Sequence, residues 1–96
     1  MLIPLLALLA NIPGAIRVSA FYAPDDLLFS RRGVVVTSDG AILEIKYGPD
    51  GEIITTELPS LGGAIEVAGF YSSDDRYRHA IVAASDGSVQ GIFYKP

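Results

Sequence analysis

The chain has 96 residues, half of them hydrophobic and 19% charged, which suits one globular domain and excludes a disordered segment. Its formal net charge of −4, with the basic residues scattered, excludes the concentrated basic patch that nucleic-acid binding needs. There is no cysteine, so disulfides and thiolate metal sites are excluded too.

The chain opens on "MLIPLLALLANIPGAI". Leu5 to Ala10 is the only helical candidate, bracketed by Pro4 and Pro13. As a secretory leader the run lacks a basic start and Pro4 interrupts it. It is too short to span a bilayer, so no membrane is expected as a partner. The repeat described below reads residues 3–9 as a strand instead; a cleaved or membrane-bound leader is the alternative. Strands follow at 15–22 ("AIRVSAFY"), 33–38 ("GVVVTS"), 41–47 ("AILEIKY") and 52–58 ("EIITTEL"), then at 64–71 ("AIEVAGFY"), 80–85 ("AIVAAS") and 88–94 ("SVQGIFY"). Asp39-Gly40, Asp50-Gly51 and Asp86-Gly87 punctuate them. Asp-Gly between apolar runs is a strong hairpin signal, because glycine accepts the positive φ of a tight turn. "GVVVTS" is apolar on both faces, which suits a strand with cover on both sides.

The chain also repeats itself. Residues 14–26 ("GAIRVSAFYAPDD") align with 63–75 ("GAIEVAGFYSSDD"), and 31–49 with 78–96; half of the 32 paired positions are identical. Residues 5–13 lie opposite 54–62 with weaker identity. The whole chain is therefore one domain of two units, about 3–49 and 52–96.

Four short antiparallel strands repeating at this period resemble the blade of a β-propeller, and "VVVTSDGAILEIKY" and "AIVAASDGSVQGIFY" resemble the middle hairpin of propeller repeats. The Trp-Asp ending of WD repeats and the diglycine of kelch repeats are missing. The resemblance implies an all-β fold of two four-stranded antiparallel blades per chain, completed to a closed ring by homo-oligomerisation. The plainer alternative is a stand-alone sandwich of two duplicated sheets. Propellers have four to eight blades, so two blades imply copies of the same chain, with three copies favoured over four or two. Strand 3–9 is expected to pair with the C-terminal blade of a neighbouring copy, which lacks its own outer strand.

Candidate ligand residues gather after each inner strand: Asp25 and Asp26, Asp74 and Asp75, with Arg31, Arg78, Tyr22 and Tyr71 beside them. Carboxylates can hold sugar hydroxyls or a cation, and aromatic rings can stack on a sugar. The competing reading is structural: aspartates that cap turns or form surface ion pairs with Arg31 and Arg78, and aromatics that fill the core. His79 is the only histidine, and no nucleophile is paired with it in the sequence. The expectation is a non-catalytic binding module without cofactor or metal. Small chains that assemble into propeller rings resemble certain lectins, which implies a glycan as ligand, although those lectins lean on tryptophan and this chain has none. A structural propeller fragment without ligand is the alternative.

Overall fold

The computed structural model of the chain describes residues 8–95. Those residues form seven strands and no helix: β1 (Ala15–Tyr22), β2 (Arg31–Thr37), β3 (Ile42–Tyr47), β4 (Ile53–Leu58), β5 (Ala64–Tyr71), β6 (Arg78–Ala84) and β7 (Val89–Tyr94). The fold is all-β, with two antiparallel meanders: sheet one in the order β1-β2-β3-β4 and sheet two in the order β5-β6-β7. The strands expected at 15–22 and 64–71 stand at those bounds. β2 and β6 begin two residues before the expected 33 and 80, because Arg31 and Arg78 continue the ladder opposite Tyr22 and Tyr71. Of the strand expected at 3–9, residues 3–7 lie outside the described residues, and Leu8 and Leu9 belong to no strand.

The hairpins are set by glycine. In the β2–β3 turn, Gly40 N–H donates to Thr37 O and Thr37 N–H donates to Ala41 O at 3.0 Å, closing the loop. The β6–β7 turn repeats this with Gly87 and Ala84, and the β3–β4 turn with Gly51 and Gly48. The three glycines have φ of +87°, +91° and +82°, a region that costs an L side chain roughly 1–2 kcal/mol. The repeat is therefore visible in the backbone. It continues in the inner strands, where β1 and β5 each carry a register shift at the same repeat position, between Ala15 and Arg17 and between Ala64 and Glu66.

The two sheets pack face to face, with β5 against β1 and β2. Pairing register places Ser19, Phe21, Arg32, Val34 and Val36 on one face of sheet one. That face meets Val67, Gly69, Tyr71, Ala80 and Val82 of sheet two. Val34, Val36, Ile42, Val67 and Val82 form one buried cluster, and each such side chain contributes about 1.5–3 kcal/mol on burial. At Gly69 the two sheets approach closely. A Cβ there would lie 3.0 Å from the Phe21 ring and 3.3 Å from Val34, and its N–H donates to Ser19 Oγ at 2.9 Å.

The seam takes opposite members of the two Phe-Tyr pairs. Phe21 points into it and Tyr22 is exposed; Tyr71 lines it and Phe70 is exposed. The two sheets thus stack in the same sense, the front of one on the back of the other. Both outer faces stay apolar, with Val18 68% exposed on sheet one and Phe93 67% exposed on sheet two.

Candidate functional site

The loops after β1 and β5 bring the expected site residues to one end of the seam. Two arginines are buried there, Arg32 at 2% and Arg78 at 0% exposure. Strand alternation puts Arg32 on the seam face and Arg31 on the outer face. Arg32 donates to Asp26 Oδ2 (2.6 Å), Glu44 Oε2 (3.0 Å) and the carbonyl of Phe29 (3.0 Å). Glu44 Oε2 also accepts from the Tyr94 hydroxyl of sheet two at 2.7 Å. Burial, with Glu44 beside it, pushes the Tyr94 phenol far above its ordinary range.

Arg78 crosses the seam in the other direction. Its guanidinium grips both oxygens of Asp25, at 2.7 and 3.0 Å, beneath the Tyr71 ring at 5.5 Å. Such forked pairs are the stronger kind of ion pair. Arg78 also donates to the carbonyl of Arg76, itself at φ 61°. Arg78 Nε is buried without a hydrogen-bond partner among the described residues. The hydrogen bond from Arg78 holds the Asp25 carboxyl below its ordinary value of 3.8. For Asp26, burial acts upward but is outweighed by the Phe29 N–H and the Arg32 charge, so it too is lowered.

Two expectations change. Arg78 does not pair across its own loop at the surface but with Asp25 of the other sheet's loop, as a buried bridge between sheets. Arg31, expected to pair likewise, places its guanidinium 6.0 Å from the centre of the Tyr47 ring. The reason is the pleat: of two adjacent residues, only Arg32 can reach the carboxylates at the seam. Arg32 and Glu44 escaped attention in the sequence because their repeat partners are His79 and Gly91. One signal was present. Glu44 sits in an apolar run at a position facing the sheet's buried side.

In sheet two, His79 takes the place of Arg32. Its Nε2 lies 3.0 Å from Asp75 Oδ2, and its ring stacks on Phe70 with centroids 5.0 Å apart. The Tyr77 N–H, with His79 next, lowers Asp75. Asp74 is exposed; its backbone N–H is capped by Ser72 Oγ. Asp39 and Asp86 cap their own turns: Thr37 Oγ1 donates to Asp39, and Ser88 N–H and Oγ donate to Asp86.

At this end the arrangement offers carboxylate acceptors and aromatic rings. Asp25 keeps 35% of its side chain exposed while Arg78 fixes it, so lone pairs remain for hydroxyl donors. No group of three or more His, Asp or Glu side chains placed to hold a metal ion occurs among the described residues. Among those residues, no helix is long and apolar enough to cross a membrane. An open cavity of about 470 Å³ lies on the outer face of sheet one, lined in part by Ile12, Val18, Val35 and Ile45. Compared with protein-family models, curated proteins and solved structures, the chain matches none.

Proposed function

We propose that this chain is a non-catalytic binding module, two blades of a β-propeller that several copies complete, with a carbohydrate as ligand. Three copies would supply six sheets. The observation that carries the reading is the pair of apolar outer faces on a two-sheet body, since patches of this kind mark association sites. The ligand belongs at the mouth of the seam, where Asp25, fixed by Arg78, offers free lone pairs beside Tyr71. Pre-oriented carboxylates next to aromatic rings suit hydroxyl-rich ligands. A second reading, a structural propeller fragment without ligand, is favoured by one fact: Asp26 is already paired with Arg32 and Asp25 with Arg78.

A glycan array, run alongside light scattering, separates the two. Binding to a defined glycan class, competed by the free sugar, is expected. An assembled protein that binds no glycan leaves the scaffold reading.

A further inference from the structure

The internal seam is a template for a second one. Its contacts can be moved along the repeat, by 49 residues before the aspartate pair and 47 after it. Phe21, Arg32 and Val34, the seam face of sheet one, become Phe70, His79 and Ile81, which line the open face of sheet two. Val67, Tyr71 and Val82, the seam face of sheet two, become Val18, Tyr22 and Val35 on the outer face of sheet one, where Val18 and Tyr22 are exposed and Val35 is buried. The two outer faces are thus related to each other as the two seam faces are.

We propose that a second copy of this chain docks head to tail on the open face of sheet two, with Asp74 of one copy gripping Arg31 of the next as Asp25 grips Arg78.

Charge supports this occupant. Asp74 and Arg31 are the repeat counterparts of Asp25 and Arg78, and neither has an ion-pair partner among the described residues. Arg17 and Glu66 are each other's counterparts and pair at 3.6 Å within the chain. In the new seam Glu66 faces Arg17 of the next copy, opposite charges again. The loops that present the two aspartates are built alike: Ala23 N–H donates to Ser30 O, and its counterpart Ser72 N–H donates to Tyr77 O.

The connection between sheets fits as well. Leu61 N–H donates to Gly40 O, so the segment after β4 covers the β2–β3 turn. The equivalent turn at Gly87 is open among the described residues, with none of their atoms within 4 Å of a Cβ there. The counterpart of that segment is residues 12–14, which hold the same bend: Ala15 N–H donates to Ile12 O at 3.2 Å and Ala64 N–H to Leu61 O at 3.1 Å, with Gly14 and Gly63 at φ 78° and 77°. Ile12 of the next copy would close over Gly87. A front-to-back contact is heterologous, and it closes into a ring when its rotation divides the circle.

This inference rests on the oligomeric part of the reading above and is independent of the ligand. The test is the solution mass of the full chain by light scattering, against a protomer of 10.2 kDa. The wild type is expected at a multiple of that mass. Asp74→Arg and Arg31→Asp should each weaken assembly about a hundredfold or more, because each sets like charges against one another. The double variant restores opposite charges and should restore the mass. Circular dichroism checks that each variant is folded. The chain has no native cysteine, so a flexible bis-maleimide should join Asp74→Cys/Arg31→Cys into a ladder or closed ring and leave Asp74→Cys alone uncoupled. That measurement decides the matter if a charge variant fails to fold. A wild type of 10 kDa, its faces covered by its own chain or left bare, overturns the proposal. So do single reversals without effect, a double variant that stays dissociated, or Asp74→Cys that couples by itself. Assembly without glycan binding upholds it and removes only the carbohydrate.

Discussion

Asp25 and Arg78, 53 residues apart in sequence, form a forked ion pair that ties the loop of one sheet to the first residue of β6 in the other. The guanidinium is fully buried and the carboxylate is partly in water. Deleting the carboxylate leaves a charge buried alone. Asp25→Ala should lower stability by about 3 kcal/mol, the lower end for a broken buried pair because Asp25 is partly solvated. Asp25→Ala/Arg78→Met should recover most of that loss, since it also removes the unpartnered Nε. Urea denaturation at fixed protein concentration measures both.

The same pair gives the protein an acid limit. Asp25, Asp26 and Asp75 all titrate below their ordinary 3.8 in the folded chain. Their contribution is complete above that value and is lost as pH falls through the lowered folded values. The melting temperature should hold from neutral pH to about 5 and fall below about 4. Asp25→Asn should start lower at neutral pH and lose less on acidification. Parallel curves for the two proteins would show that Asp25 is not a source of the limit.

Gly69 packs tightly against the other sheet. A methyl group there must displace the Phe21 ring or Val34. Gly69→Ala should cost about 1–3 kcal/mol by overpacking, read as a lower urea midpoint. The effect should shrink when Phe21 is shortened to Leu in the same chain.

Gly40 and Gly87 have the same positive φ but different surroundings. A Cβ at Gly40 would lie 2.6 Å from the Leu61 carbonyl; one at Gly87 meets nothing within 4 Å among the described residues. Gly87→Ala should cost about 1–2 kcal/mol from backbone strain alone, and Gly40→Ala more. Thermal melts of the two variants, at a concentration where the protein is fully monomeric, compare them directly.

The strands were readable because each has a glycine turn on at least one side and is rich in β-branched or aromatic residues, as "VVVTSDGAILEI" shows. The doubling was readable because Phe-Tyr and Asp-Asp recur intact. Which aromatic of each pair enters the seam was not readable: 21–22 and 70–71 are the same letters, and only the stacking sense distinguishes them. Nor was the role of Arg32, since its counterpart is a histidine. The two side chains share a task, each held by the second aspartate of its own loop, but chemistry differs enough to hide it from alignment. The Glu44–Tyr94 contact was hidden for a plainer reason: it joins different strands of different units, so neither residue's repeat position announces it.

Two bonds bridging β1–β3 to β5–β7 have no duplicate. Ser19 and Gly69 become Ala68 and Ala20, and Glu44 and Tyr94 become Gly91 and Tyr47. In the proposed assembly, the seam inside a protomer would therefore hold two hydrogen bonds that the seam between protomers lacks. Warming or dilution would part such an assembly into intact pairs of sheets, and its rotational order would follow the count of chains, half the count of sheets.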